Sequence, residues 1–300
     1  MKNIRLAILA LIFAVPFIGS AQQKELYTQY MFNGLTINPA YAGSHDALNL
    51  TAMSRWQWAG FEGAPTTQTI SAHSPIKGKN VGLGLMISRD EIGVSNMTSV
   101  NGIYAYRLQM GDGYLSMGLQ GSLTNYKGDF GNLFNGGAAD ASFVNESEFA
   151  PNFGAGLYYY TSKFYVGFSV PQFLNGEVGD DGYSQQKHYF VNGGIVFNVS
   201  DNIKLKPNFL LKMVDGAPLS ADLNLNALFN DFIWVGVSVR PPESISGILQ
   251  VNVSPKFSVG YAYDQIIQEQ LKEIGTSSHE VMVNYRIPLF KDRVVTPRYF

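Results

Sequence analysis

The chain predicts an all-β fold, a transmembrane antiparallel β-barrel of about fourteen strands. Three observations predict it. Apolar and polar residues alternate with a period of two over most of the 300 residues. The connections between candidate strands alternate between tight and long. The composition is rich in glycine and aromatic residues, with 31 Gly and 13% aromatic, yet only 15% charged. Such a balance suits a barrel wall with aromatic girdles better than a soluble domain.

Taken in order, residues 1–21 read as a secretory signal. Lys2 and Arg5 supply the basic start, Leu6 to Ile18 the apolar run, and Gly19-Ser20-Ala21 a small-residue cleavage site. That run is shorter than the ~20 residues a spanning helix needs. Residues 22–46 show no strand period and are expected to form a plug or a periplasmic cap. Residues 47–287 carry the barrel, and 288–300 a basic periplasmic tail with Lys291, Arg293 and Arg298.

The barrel reading rests on runs such as Leu115, Met117, Leu119, Gly121 and Leu123 alternating with Ser116, Gly118, Gln120, Ser122 and Thr124. A second run sets Leu219, Ala221, Leu223 and Leu225 against Ser220, Asp222, Asn224 and Asn226. A third runs from Ile245 to Ser254, with Ile248 its one misfit. Successive strand side chains point to opposite faces, so each run has one apolar and one polar face. Strand centres are expected near Leu50, Ile70, Leu85, Ile103, Leu119, Leu157, Val166, Ile195, Leu205, Leu223, Val235, Leu249, Val259 and Val283.

Tight connections at Gly111-Asp112-Gly113, Ser162-Lys163, Asn230-Asp231 and Ser254-Pro255-Lys256 alternate with longer ones such as 127–148, 171–187 and 264–278. Outer-membrane barrels sort turns and loops this way. An even strand count then places both termini on the periplasmic side. Lipid cannot satisfy an open sheet edge, so the first and last strands must pair. The polar face becomes a lumen holding Arg55, Thr67, Thr69, His73, Gln120, Lys204, Lys206, Lys212, Asp222, Asn224, Asn226, Glu280 and Arg286.

Little of the sequence points to catalysis. There is no cysteine, which excludes disulfides and thiolate chemistry. His45, His73, His188 and His279 lack a second ligand at metal spacing. A barrel phospholipase needs a serine, a base and an orienting group together, and no spacing fixes such a set. Glu177 with Asp180 and Asp181 matches no calcium loop. Gly82-x-Gly84 and Gly154-x-Gly156 lie inside strands with no helix after them, so they are curvature or packing glycines rather than phosphate loops. A formal net charge of −2 gives nucleic acid no electrostatic footing. No cofactor is expected. Residues 265–274 (QIIQEQLKEI) carry Ile266, Ile267, Leu271 and Ile274 at helical spacing, which predicts a short rim helix.

The stretch from Tyr27 to Pro65 carries a more specific signal. It holds Gln29-Tyr30-Met31, then Asn38-Pro39-Ala40-Tyr41-Ala42-Gly43, then Arg55-x-Gln57-Trp58-x-Gly60 and Gly63-x-Pro65. Later echoes are Tyr104-Ala105-Tyr106, Phe149-x-Pro151 and the ending Arg298-Tyr299-Phe300. These motifs resemble the PorP/SprF family, outer-membrane components of the type IX secretion system of Bacteroidetes. The resemblance implies a non-enzymatic barrel in the outer-membrane lipid. Its partners would be type IX secretion subunits and a large secreted client such as a gliding adhesin. Asn38, Pro39, Tyr41, Gly43, Arg55, Trp58, Gly60 and Pro65 are then family-motif residues of structural role. Leu271, Asp180, Asp181 and Arg298 are the candidate partner contacts. An Asn-Pro-Ala motif also resembles the start of FadL-like transporters, which leaves open a channel for apolar small molecules. A general porin is the third reading.

Overall fold

The structure, a computed structural model, describes residues 26–128, 146–178, 183–269 and 277–289. The strands are β1 (Ala47–Trp56), β2 (Thr66–Pro75), β3 (Val81–Ile92), β4 (Ser95–Met110), β5 (Gly113–Gly128), β6 (Glu146–Tyr160) and β7 (Phe164–Val170). Then follow β8 (Gly176–Val178), β9 (Tyr183–Gln185), β10 (His188–Ile195), β11 (Phe197–Ser200), β12 (Ile203–Val214) and β13 (Ser220–Phe229). The last four are β14 (Ile233–Arg240), β15 (Ser244–Ser254), β16 (Phe257–Ile266) and β17 (Ser277–Pro288).

β8 and β9 pair only with each other, as a hairpin in the connection after β7. β10 and β11 form one stave, interrupted at Val196, and both pair with β12. The remaining strands pair in chain order, and β1 pairs with β17 from Ala47↔Pro288 to Trp56↔His279. The result is a closed antiparallel barrel of fourteen staves. Each expected strand centre falls inside a stave. Closure pairs the backbone groups of the first strand with those of the last, so no sheet edge meets lipid.

The two faces separate as period two requires. Ile70, Leu119 and Leu223 point outward and are 67%, 62% and 57% exposed. Thr69, Gln120, Asp222 and Asn224, one position away, are buried in the lumen. Lys204 and Arg286, half-buried, are the least covered of the expected lumen residues.

Turn-end connections are short throughout: 76–80, 111–112, 161–163, 201–202, 230–232 and 255–256. Loop-end connections are longer on average, with two departures, the three-residue connection 241–243 and the two-residue one at 93–94. There Gly93 turns with a positive φ, and β4 and β5 extend to 16 residues each instead. Gln265 and Ile266 do not begin a helix. They complete β16, with Ile266 facing inward, because ladder pairing to Ser244 and Ile245 continues that far. The rest of the expected helix, including Leu271, lies largely outside the described residues, as do Asp180, Asp181 and Arg298.

Candidate functional site

The lumen is occupied by the chain's own residues 27–45. They form three single 3₁₀ turns, Tyr30–Phe32, Gly34–Thr36 and Pro39–Tyr41, and none reaches helical length. Isolated turns leave many backbone groups unpaired, so the wall must satisfy them. Every stave contributes to this, by hydrogen bond, ring contact, close glycine or shared apolar cluster.

At the loop end of the lumen an ion cluster holds the segment. Arg55, on β1, places Nη1 2.6 Å from Asp264 on β16 and 3.2 Å from Glu280 on β17. All three side chains are buried. Glu280 also accepts the backbone N–H of Thr28 at 2.8 Å and of Gln29 at 2.9 Å. The Thr28 hydroxyl donates to Asp264 at 2.8 Å. One guanidinium faces two carboxylates here, and the segment's donors supply the remaining compensation. Such charge-assisted bonds are about twice as strong as neutral ones.

Further down, toward the turns, Lys206 donates to the Met31 carbonyl at 3.2 Å and lies over the rings of Phe32 and Trp234 at 5.2 and 5.7 Å. The Tyr30 hydroxyl donates to Asn208 and accepts from Asn224. Burial raises the Tyr30 phenol well above its usual pKa, so it stays a neutral hydroxyl able to do both. Around it pack Met31, Ile37, Phe190, Leu210, Ile248 and Ala262. Ile248, the misfit of its run, is inward and 3% exposed. It breaks the alternation because its neighbour is the segment rather than water. Fully burying such a side chain contributes about 1.5–3 kcal/mol.

At the turn end the Asn38-Pro39-Ala40-Tyr41-Ala42-Gly43 motif is a wedge. The Asn38 side chain caps its turn, with Oδ1 accepting from the Ala40 N–H at 2.9 Å and Nδ2 donating to the Leu157 carbonyl at 2.9 Å. Pro39 occupies the first position of the turn, where a missing N–H costs nothing. Tyr41 meets Tyr158, His45 and His73 edge-on, and burial pushes its phenol up to about 12. Gly43 adopts φ +72, donates its N–H to His73 Nδ1 at 3.1 Å, and offers its carbonyl to Arg107. A Cβ at Gly82 would overlap Ala42, one at Gly118 would overlap Pro39 and Ala40, and one at Gly156 would overlap Asn38. These wall glycines are therefore packing glycines.

The second motif half shapes the first loop. Trp58 takes a positive φ of 45 and Gly60 one of 97. Gln57 N–H bonds to the Pro65 carbonyl, and Ala59 N–H to that of Ser277. Arg55 thus dives into the lumen while Trp58, Gly60 and Pro65 fold the loop above it. Spacing alone did not reveal the partners Thr28 and Asp264, nor Ser169, which donates to the Ile37 carbonyl at 2.6 Å. The available signal was breaks in period two, such as Ile248 and Leu210.

The segment runs down the lumen from its loop end. Pro288 ends opposite Ala47 at the turn end. Tyr27 and Thr28, however, bond to Thr69, Asp264 and Glu280, which lie at the loop ends of β2, β16 and β17. The two termini, expected on the periplasmic side, lie outside the described residues, whereas the described segment enters the lumen at its loop end. The reason is that the segment must descend the lumen to reach β1 at Ala47. A cysteine at Leu26, in a chain that has no other, should react with a membrane-impermeant maleimide added outside intact cells. Labelling only after the outer membrane is breached would contradict this direction. Separately, Asn38→Ala should cost about 1–3 kcal/mol through the lost cap and the unpaired Leu157 carbonyl. Faster hydrogen exchange of the Ala40 amide would report it.

The four histidines serve this packing or the rim. His188 bonds to the Gln186 carbonyl, and His279 to the Tyr261 hydroxyl at 2.7 Å. Among the described residues, no group of three or more His, Cys, Asp or Glu is placed to hold a metal.

A filled fourteen-stave barrel, with the Asn38–Gly43 motif and Arg55 at the plug contacts, can be set beside known proteins. The family model described as "Type IX secretion system membrane protein PorP/SprF" matches residues 19–285. The chain belongs to the PorP/SprF family. The family assignment thus covers both motif halves and nearly the whole barrel. Among solved structures the chain resembles the CymD monoaromatic hydrocarbon channel, with a TM-score of 0.53, 13% identity, and 90% of this chain and 95% of that one covered. It also resembles the Acinetobacter baumannii outer membrane protein Omp33, with a TM-score of 0.50, 11% identity, and coverage of 82% and 100%. At such identities these neighbours show the fold alone, that of outer-membrane barrels. Comparison with curated proteins gave no match.

Proposed function

We propose that this PorP/SprF-family barrel is a non-catalytic component of the type IX secretion system that assists export or surface anchoring of a large secreted protein, such as a gliding adhesin. The observation that carries this reading is the fastened lumen. A wall whose every stave grips an internal segment is a rigid anchor, and its working surfaces are the loops and turns. Residues 1–21 act as the export signal. The loops around 127–148 and 171–187, with Asp180, Asp181 and the segment at Leu271, offer surface to the client. The turns and the tail at Arg298 face the secretion motor.

Affinity purification from native outer membrane tests this. Co-isolation of a large surface protein or of type IX subunits is the expected result. Recovery of the barrel alone, together with conductance in planar bilayers, would overturn it.

One observation favours a channel for apolar small molecules as second reading. Between the segment and β13–β17, near the turn end, lies a cavity of about 580 Å³ lined by Met31, Phe32, Trp234, Phe257 and Met282, with Lys256 and Arg286. Uptake of a monoaromatic hydrocarbon by vesicles holding the barrel would favour that reading.

A further inference from the structure

The outer wall carries a feature that lumen packing does not explain. Gly102 on β4 and Gly121 on β5 are cross-strand partners. Both point outward, and a Cβ on either would meet nothing within 4 Å. They contrast with Gly82, Gly118 and Gly156, whose missing side chains make room for the internal segment. Leu85 pairs with Gly102 on one side and Phe153 with Gly121 on the other. The result is a notch of about 530 Å³, with Tyr104 and Leu119 at its lower end.

Glycines alone would mean only a thin wall. Directly above, however, lies a second concavity of about 570 Å³, lined by Val100 and Leu123 below and by Arg89, Thr98, Asn125 and Phe149, then Asn96 and Lys127, above. The register stacks these rows on one face: Arg89, Thr98 and Asn125 in line, and Asn96 with Lys127 a step higher. Arg89 and the neighbouring Glu91 share one contact, Nη2 to Oε1, both largely exposed. That leaves the other guanidinium edge and the Lys127 ammonium facing outward.

The height of the apolar-to-polar change is informative. From Met110 up to Val100, at ~3.3 Å per residue and about 40° of tilt, the wall rises about 25 Å, the height of an outer-membrane barrel's apolar band. The polar rows therefore sit at headgroup level on the loop side, and the notch one step inside the hydrocarbon.

We propose that this groove holds a phosphate-bearing lipid of the loop-side leaflet. Its phosphate lies against Arg89 and Lys127, with Thr98, Asn96 and Asn125 as neutral partners, and one acyl chain lies in the notch over Gly102 and Gly121. The geometry suits this occupant because its two halves match the two halves of a phospholipid, in the order a membrane presents them. This inference is independent of the secretion role.

The test is native mass spectrometry of the delipidated full-length barrel, titrated with diphosphorylated lipid A and, in parallel, with phosphatidylcholine. Lipid A should bind at least tenfold more tightly. The double variant Arg89→Gln, Lys127→Gln should lose that preference by about 10- to 30-fold, and inorganic phosphate alone should not restore or compete for it. Gly121→Leu, which fills the notch, should weaken both lipids. Each variant is first checked for heat-modifiable migration, which reports a folded barrel. Equal binding of the two lipids, or a preference untouched by the double variant, would overturn the proposal. So would crosslinking from Asn125 to a second copy or to another protein in native membranes in place of lipid.

Discussion

Arg55→Met should release the upper end of the internal segment while the barrel stays closed. Arg55 sits between two buried carboxylates, Asp264 and Glu280, whose side chains are 3% and 1% exposed. Removing the cation leaves two like charges facing each other away from water. Breaking a buried pair in this way costs about 3–5 kcal/mol, comparable to a large part of what holds a small domain together. The wall's ladder does not depend on Arg55, whose backbone pairs Thr67 and Glu280 in either case. The loss should therefore fall on the contacts to Thr28 and Gln29. Limited proteolysis should cut within 27–45 in the variant and spare the parent. Arg55→Lys should be intermediate, because an ammonium keeps the charge but not the planar fork. Equal protection of all three proteins would mean that the ion cluster does not fasten the segment.

Gly118→Leu should act from the opposite wall and be read as current. A Cβ there would overlap the backbone of Pro39 and Ala40, and backbone has no rotamer to yield. Overpacking a tight interior costs about 1–3 kcal/mol even when side chains can move. The segment should shift or leave the lumen. In planar bilayers the variant should then conduct where the parent stays closed, and deletion of residues 27–45 should conduct more strongly. If parent and both altered proteins conduct alike, the segment does not block the lumen and the anchoring role loses its physical basis. Gly102→Leu is the control: it adds the same side chain to the outer face, where nothing lies within 4 Å, and should leave conductance unchanged.

These two substitutions also mark where sequence reading stops. Arg55 was legible as a lumen residue because β1 alternates around it. That Asp264 would meet it was not, since Asp264 stood at the edge of an expected loop. Gly118 read as one more polar-face position of β5. Its need to be glycine depends on Ala40, far away in the chain and bound by no local period. Ile248 read as the one misfit of its run, and Leu210 and Ala262 stand at inward positions of β12 and β16. They form one apolar patch only when β12, β15 and β16 curve around Tyr30 and Ile37. The descent of 27–45 from the loop end was likewise invisible, because 3₁₀ turns carry no long repeat.

What the sequence determined by itself is the wall: strand number, the outward and inward faces, the pairing of first with last strand, and the family motifs. Those follow from local alternation and from the rule that lipid leaves no backbone group unpaired, so neighbouring residues suffice to state them. What only the tertiary structure decided is the content of the lumen and the direction in which it is filled. Contacts there join residues more than a hundred positions apart, as Thr28 with Glu280 and Asn38 with Leu157. No periodicity encodes which side chain across a closed ring will face which turn.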